Sequence, residues 1–286
     1  MILALAIFLI TYALMLSLQK YRPWIALCSA AVFLILGLCG IYELTPAAAL
    51  MAVDYNVLLM IAGTMGIVLL FIESGMPARL AELLITRVPN IKWAVTVLAL
   101  FAGIISAFVD NVATVLMVAP VGLAISRALK ISPVPVLIAI AVSSNLQGAA
   151  TMVGDTTSML LGGFAGMSFL DFFWMNGKPG IFWGVELGAL ASVAALLFLF
   201  RKNRQPVSTA AETRVKDLFP SVLMIGTVVL LIAASFLPEP ENAVLQVLYG
   251  LRSGLICAAL CLIGIVRECI KKKSGDPFRR VWKGLD

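Results

Sequence analysis

The sequence predicts an all-α polytopic membrane protein, and three observations lead to this fold class. The chain of 286 residues is 62% hydrophobic, with a mean hydropathy of +1.04. Only 13% of its residues are charged, against the roughly 25% that is usual in soluble domains. Its apolar runs are continuous rather than alternating, which indicates membrane helices and not a transmembrane barrel.

Eight apolar stretches are predicted to lie in the membrane. One of them, residues 93–126, is long enough to enter the bilayer and return as a hairpin, and another, residues 134–168, is broken near its middle. The eight stretches are residues 2–18, 24–41, 56–73, 93–126, 134–168, 181–200, 218–237 and 253–269.

Two connections between these stretches have a distinct character. Residues 76–90 place Leu80, Leu84 and Val88 on one helix face and Arg79 off it, which predicts an amphipathic helix lying on the membrane surface. Residues 201–217 form a polar linker that separates the first six apolar stretches from the last two.

The net charge of +6 indicates membrane topology rather than nucleic-acid binding. If the N-terminus lies outside and residues 93–126 return to the side they came from, only Lys178 and Arg252 of the 21 basic residues lie outside. The positive-inside rule predicts this asymmetry. We therefore expect an integral protein of the cytoplasmic (inner) membrane, with cytoplasmic basic loops and C-terminus, embedded in the lipid bilayer, and no nucleic-acid partner. Two full crossings by residues 93–126 satisfy the same count.

Residue types that many enzymes need are scarce in this chain. It contains no His, which excludes imidazole general bases, His-ligated metals and His proton relays. Its cysteines have neither zinc-binding nor redox spacing, and we interpret them as free buried thiols. They are Cys28, Cys39, Cys257, Cys261 and Cys269. We expect no cofactor.

Two polar segments interrupt the apolar sequence. The first is "SAFVDNVAT" (106–114), and the second is "SSNLQGAATMVGDTTS" (143–158). A charge near the bilayer centre costs about 2.5–3.5 kcal/mol. The presence of Asp110 despite this cost indicates that the first segment has a function. The second segment is too polar on all sides to face lipid, and Gly148 and Gly154 allow its helix to unwind.

Broken helices within a membrane offer two kinds of binding group. Their N-termini attract anions, while unwound carbonyls and side-chain oxygens coordinate small cations. Asp110 and Asp155 supply fixed negative charge, either to hold Na⁺ or to take up a proton. Asn111, Asn145 and Gln147 carry both donors and acceptors, which suit contacts to a polar substrate.

An intramembrane aspartyl protease is the rival enzyme, because the chain contains two membrane aspartates and the dipeptide Gly154-Asp155. Such proteases have a glycine two residues before that dipeptide, where this chain has Met152. Their other aspartate follows a tyrosine, whereas Asp110 follows Val109. We therefore expect the protein not to be an enzyme.

Both polar segments resemble motifs of the ion transporter superfamily. The nearest groups are the arsenite permeases and NhaD-type sodium/proton antiporters, with citrate-transporter-like and divalent anion/sodium symporter relatives. Residues 106–114 are similar to the hairpin-tip pattern S-A-F-L-D-N-V-T-T, and residues 145–158 to the broken-helix pattern N-I-G-G-x-x-T-x-I-G-D-P-P-N. Ala113, Gln147 and residues 156–158 depart from these patterns, so the relatives' substrates are not carried over.

The resemblance implies a re-entrant hairpin with its tip at residues 110–114 and an unwound helix around residues 148–155, which together bind substrate and coupling ion. It also implies elevator-type transport of a small anion or ion, with Na⁺ or H⁺ as the coupling ion, usually by a dimer. The expected ion- and substrate-binding residues are Asp110, Asn111, Thr114, Asn145, Gln147, Gly148, Thr151, Gly154, Asp155 and Thr156. A Na⁺ ion is expected at Asp110, Asn111, Asn145 and Asp155.

Such permeases contain two inverted repeats, and this chain is expected to hold more of the first repeat than of the second. Residues 1–200 hold a complete first repeat, residues 201–217 a cytoplasmic linker, and residues 218–286 two helices and a basic tail. The tail "DPFRRVWKGLD" (276–286) resembles residues 45–56 of the first repeat. We expect a homodimer or a partner chain to supply the second repeat. The alternative is a truncated or degenerate half-permease that acts as a non-transporting membrane scaffold.

Overall fold

The computed structural model describes residues 2–41, 45–128, 131–202, 205, 214–238, 240 and 242–272. Within these ranges the chain forms thirteen α-helices and one short β-hairpin, which confirms the all-α polytopic class. The basic tail and most of the polar linker lie outside the described residues. Four helical segments are long and apolar enough to cross a membrane: Gln19–Leu38, Tyr55–Glu73, Ile181–Leu199 and Arg252–Lys271.

The elements follow the predicted stretches, and two of these stretches contain two helices each. The helices are α1 (Ile2–Ser17), α2 (Arg22–Leu38), α3 (Pro46–Met51), α4 (Tyr55–Glu73), α5 (Met76–Ile85), α6 (Ile91–Ser106), α7 (Asn111–Ala128), α8 (Pro133–Gly148), α9 (Thr156–Phe164), α10 (Ile181–Leu199), α11 (Phe219–Ser235), α12 (Ala243–Gly250) and α13 (Arg252–Lys272). The antiparallel strands are β1 (Trp174–Met175) and β2 (Lys178–Pro179). The sequence analysis did not predict α3, α12 or the β-hairpin.

The chain forms two compact units, residues 1–54 and 55–286. In the first unit, α1 packs against α2, and Thr11 Oγ1 donates a hydrogen bond to Ser29 Oγ at 2.9 Å. None of the described side chains of this unit is buried. Most of its apolar surface is therefore available to lipid or to other protein.

The burial of the cysteines differs in part from the sequence prediction. All five are free thiols, and Cys257 and Cys261 are buried on α13. Cys28 and Cys39 are exposed, so the interpretation of five buried thiols is wrong for these two. The reason is that they belong to the first unit, which buries no described side chain.

In the second unit, α4 and α13 approach each other closely because small residues line their contact. A Cβ added to Gly63 would lie 2.6 Å from the backbone nitrogen of Ala258. The backbone N–H of Gly254 donates a hydrogen bond to Asn56 Oδ1 at 2.7 Å. Small residues at a helix crossing allow such close approach. Helix α11 packs on this pair, and the shared buried cluster contains Ile67, Leu223, Cys261 and Ile265.

Helices α6 and α7 form a helical hairpin with residues 107–110 at its tip, and α8 packs against both helices. Their 16 and 18 residues correspond to about 24 and 27 Å, less than the roughly 30 Å of a bilayer's hydrocarbon core. The lengths therefore suit a tip that stops inside the membrane, and re-entry itself stays a prediction. The largest buried cluster fills this three-helix group and includes Ile91, Leu98, Val118, Ile125, Val136 and Ile140.

The predicted interruption of the fifth apolar stretch lies at residues 149–155, between α8 and α9. Helix α9 continues from this break and packs against α4. After the β-hairpin, α10 returns along α6 and α8. The break is thus held between the hairpin on one side and α4 on the other.

Asp217 connects the start of α11 to the end of α13. Its carboxylate accepts hydrogen bonds from Arg267 Nη1 at 2.6 Å and Lys271 Nζ at 2.7 Å. It also accepts one from the backbone N–H of Phe219 at 3.0 Å. These three donors, Arg267 above all, hold the pKa of the Asp217 carboxyl well below its usual range. The ionised carboxylate therefore fixes the entry of the chain into α11.

We expect Asp217→Asn to destabilise the protein by about 1.5–3 kcal/mol, the usual contribution of hydrogen bonds to a charged group. Because folding lowers this pKa, the stabilisation is complete above the ordinary Asp value of about 4 and is lost as the pH falls below it. Thermal unfolding in detergent, measured from neutral to acid pH, should show that variant and wild type converge in acid. Glu186→Gln on α10 is the matched acid-to-amide control, and a wild-type advantage that persists in strong acid contradicts the assignment.

Candidate functional site

The hairpin tip and the helix break meet in a backbone contact at Gly154. The C-termini of α6 and α8 and the N-termini of α7 and α9 all lie at the tip or the break. A Cβ added to Gly154 would lie 2.5 Å from the carbonyl oxygen of Gly148, 2.7 Å from that of Ser106 and 2.8 Å from that of Ala107. Thr151 donates a hydroxyl hydrogen bond to the Ala107 carbonyl. Only glycine permits this approach, since a side chain would collide with three backbone oxygens.

Asp110 and Asp155 directly precede α7 and α9, and both line one small cavity, here called the carboxylate cavity. Asp110 Oδ2 accepts a hydrogen bond from the backbone N–H of Ala113 at 3.1 Å, which satisfies a donor at the start of α7. The Asp155 carboxylate accepts hydrogen bonds from the hydroxyls of Thr156 at 3.3 Å and Thr157 at 3.0 Å. The structure thus brings together the two acids that the sequence singled out.

The carboxylate cavity has room for one small occupant. Its volume is about 10 Å³, near the lower limit of about 10–15 Å³ that a water molecule needs. Among the described residues, no Lys or Arg lines it. Its other lining residues are Ile61, Thr64, Met65, Val68, Val153, Gly154, Thr156 and Met159. A proton or a small cation suits this space and charge, and an anion does not.

Asn111 and Asn145 lie together in a second, open depression, here called the asparagine depression. Asn111 Nδ2 donates a hydrogen bond to Asn145 Oδ1 at 2.7 Å. The depression has a volume of about 460 Å³ and shares no lining residue with the carboxylate cavity. Its remaining lining residues are all apolar: Val112, Val115, Leu116, Ala141 and Val142. The four residues expected around one Na⁺ ion are therefore divided between two cavities.

Two further predicted residues pack inside the helical group and line neither cavity. Thr114 is buried, and its hydroxyl donates to the Val109 carbonyl at 3.4 Å. Gln147 is buried against Gly103 of α6. These contacts give both residues a structural role, while their contact with an ion or substrate stays a prediction.

The sequence analysis missed the contribution of α4. Thr64 lines the carboxylate cavity, is 8% exposed, and donates its hydroxyl hydrogen bond to the Met60 carbonyl at 2.7 Å. The available signal was a hydroxyl residue close to Gly63 and Gly66 in an apolar span. Only tertiary packing shows that Thr64 lines the same cavity as the two acids.

The sequence also matches a known family over nearly its whole length. A family model described as "Citrate transporter" matches residues 6–272. The chain belongs to the citrate transporter family. This assignment and the apolar helices establish an integral membrane protein of a transporter family, and they confirm the family resemblance that the two polar motifs carry.

Three curated relatives are similar to this citrate transporter family member. The magnetosome protein MamN of Magnetospirillum gryphiswaldense is 32% identical over 206 residues, covering 70% of this chain and 44% of MamN. The uncharacterized transporter Rv2685 of Mycobacterium tuberculosis is 31% identical over 172 residues, covering 60% of this chain and 40% of the relative. The uncharacterized transporter Rv2684 of the same organism is 27% identical over 246 residues, covering 84% and 56%. The chain thus spans about half the length of the curated relatives that it matches.

We expect Gly154→Ala to destabilise the protein by about 1–3 kcal/mol, the usual cost of overpacking, because the three neighbouring carbonyls belong to the backbone and have little freedom to move. Gly184→Ala and Gly226→Ala are matched controls, since nothing lies within 4 Å of a Cβ added at either position. The midpoint of thermal unfolding in detergent measures the effect. Equal midpoints for all three variants would show that the break does not press on the hairpin tip.

Proposed function

We propose that this chain forms part of an ion-coupled secondary transporter for a small anion in the cytoplasmic membrane. The observation that carries the proposal is the shared cavity of Asp110 and Asp155 at the meeting point of the hairpin tip and the helix break. In a transporter family, such a site within a membrane is suited to bind a travelling ion.

The carboxylate cavity is proposed as the coupling-ion site. Two carboxylates line this small, mostly apolar cavity, so a positively charged occupant is favourable there. The described lining includes no basic side chain that would satisfy them instead. The coupling ion is thus Na⁺ or H⁺, held by Asp110 and Asp155.

The asparagine depression is proposed to contact the transported anion. Asn111 is the first residue of α7, where the helix N-terminus carries partial positive charge. Asn145 accepts from Asn111 through Oδ1, so its own amide N–H groups stay available as donors. A carboxylate-bearing anion, the class to which citrate belongs, fits these donors better than it fits the carboxylate cavity.

The transport cycle is proposed to be of the elevator type, in which the hairpin and the broken helix move against the α4–α13 pair. The asparagine pair lies among apolar side chains, and lipid would leave its polar groups unsatisfied. We therefore propose that further protein covers the depression. The orientation places the N-terminus outside and the basic loops in the cytoplasm, in accord with the positive-inside rule.

Asp110→Asn should abolish ion-driven uptake, because the amide keeps the size of the side chain and removes its charge. The measurement is uptake of labelled citrate into vesicles that hold the complete assembly, under an imposed Na⁺ or H⁺ gradient. Glu186→Gln, which lies outside both cavities, is the acid-to-amide control and should transport normally. Wild-type rates in Asp110→Asn would remove the carboxylate from the coupling mechanism.

Asn145→Ala should raise the apparent KM for the anion about ten- to a hundredfold, as expected for loss of a hydrogen bond to a charged group worth about 1.5–3 kcal/mol. Asn145→Asp should raise KM further, because the new charge repels an anion. The same vesicle assay, run over a range of citrate concentrations, measures both variants. If both retain the wild-type KM, the depression does not bind the anion.

A further inference from the structure

A third cavity, here called the α11 slot, lies between residues 221–229 of α11 and residues 105–109 at the end of α6 and the hairpin tip. Its α11 residues recur every three or four positions from Ser221 to Val229, so they occupy one face of the helix over about 12 Å. Residues of α4 and α5 complete the walls, and the volume is about 520 Å³. The slot therefore extends from the start of α11 to the hairpin tip.

The accessible wall of the α11 slot is apolar. Among the described lining residues, Ser221 is the only polar one, and its Oγ atom is buried. Such a wall offers water no hydrogen-bond partner, and apolar cavities in proteins bind hydrocarbon rather than water. The volume lies within the range of roughly 300–1,000 Å³ that is usual for ligand pockets. The slot thus has room for a hydrocarbon ligand and few groups that could hold a polar one.

The α11 slot is open along the side of α11. Ile225 and Val229 line the slot and are 64% and 56% exposed. The chain belongs to a membrane transporter family, and exposed apolar residues on a helix within a bilayer contact lipid tails. Acyl chains are the most abundant apolar molecules in that surrounding. An acyl chain is therefore the occupant that this opening favours.

The end of the slot at the start of α11 carries exposed positive charge. Arg267 Cζ lies 4.2 Å from the ring centroid of Phe219, the first residue of α11. The side chains of Arg267 and Lys271 are 38% and 51% exposed, whereas that of their shared partner Asp217 is only 13% exposed. The cations of these ion pairs thus lie nearer the surface than the acid. Basic side chains beside an apolar membrane segment attract anionic lipid headgroups.

We propose that the α11 slot binds one acyl chain of an anionic phospholipid, whose headgroup lies at the start of α11 near Arg267 and Lys271. The chain runs along α11 and ends against Phe108 and Val109 of the hairpin tip. The bound lipid therefore packs between the hairpin and α11. This site is separate from the carboxylate cavity and the asparagine depression, with which it shares no lining residue.

Photo-crosslinking of the full chain in phosphatidylcholine vesicles tests this site. The vesicles contain a trace of phosphatidylglycerol with a diazirine in one acyl chain, and peptide mass spectrometry locates the adducts. We expect adducts on Met224, Val228 and Phe108 in the slot. Unlabelled phosphatidylglycerol in place of part of the phosphatidylcholine should suppress these adducts. Adducts on Leu187 and Leu190 of α10, which are 69% and 66% exposed outside the slot, should persist.

Ile225→Trp should lower the slot adducts about tenfold, because the larger side chain displaces about two methylene groups of the acyl chain. Val229→Trp is a second slot variant, and thermal unfolding in detergent checks that both variants fold. Ile263→Trp on α13 is the matched control, since Ile263 is 52% exposed and does not line the slot. It should keep the wild-type adducts.

Three results would overturn the lipid site. If α10 carries adducts and the slot residues carry none, protein rather than lipid covers the slot. If phosphatidylglycerol does not suppress the slot adducts, the preference for an anionic headgroup is wrong. If Ile225→Trp and Ile263→Trp lower these adducts equally, the chain does not occupy the slot. None of these results depends on the proposed transport activity.

Discussion

The backbone contact at Gly154 is the constraint on which the rest of the site depends. Three carbonyl oxygens, from Gly148, Ser106 and Ala107, occupy the space where any other residue would carry a Cβ. This contact locks the helix break against the hairpin tip. As a result, two helix starts that are distant in sequence present Asp110 and Asp155 to the same cavity.

Helix α4 forms a third side of the carboxylate cavity, beside the hairpin tip and the helix break. Its close crossing with α13 at Gly63 and Gly254 makes a well-packed pair on which α9 and α11 rest. The apolar residues of α4 limit the cavity to the size of a single water or ion, and Thr64 adds the only hydroxyl that α4 contributes to the described lining. In the proposed transporter, the apolar side chains that line the cavity lower the local dielectric and so strengthen the attraction between the acids and a cation.

The structure also places in two different cavities the acid and the amide that are adjacent in one sequence motif. Asp110 and Asn111 are neighbours in sequence, yet the acid lines the carboxylate cavity and the amide lines the asparagine depression. The start of α7 explains this, because consecutive residues at a helix terminus point in different directions. In the proposed transporter, a cation and an anion can therefore approach the same hairpin tip without competing for the same groups.

The sequence by itself determined the fold class, the helical stretches and a break near the middle of residues 134–168, because hydropathy and interrupting polar residues are local properties. The resemblance implied a hairpin tip at residues 110–114, whereas the structure has the tip at residues 107–110 and begins α7 at Asn111. It also indicated Asp110 and Asp155, since an acid in an apolar stretch is costly wherever it lies. Only the tertiary structure decided that Thr64 joins these acids, that the asparagines lie apart from them, and that Asp217 pairs with Arg267. These contacts join residues that are far apart in the chain. They depend on side-chain packing, which leaves no signal in the local sequence.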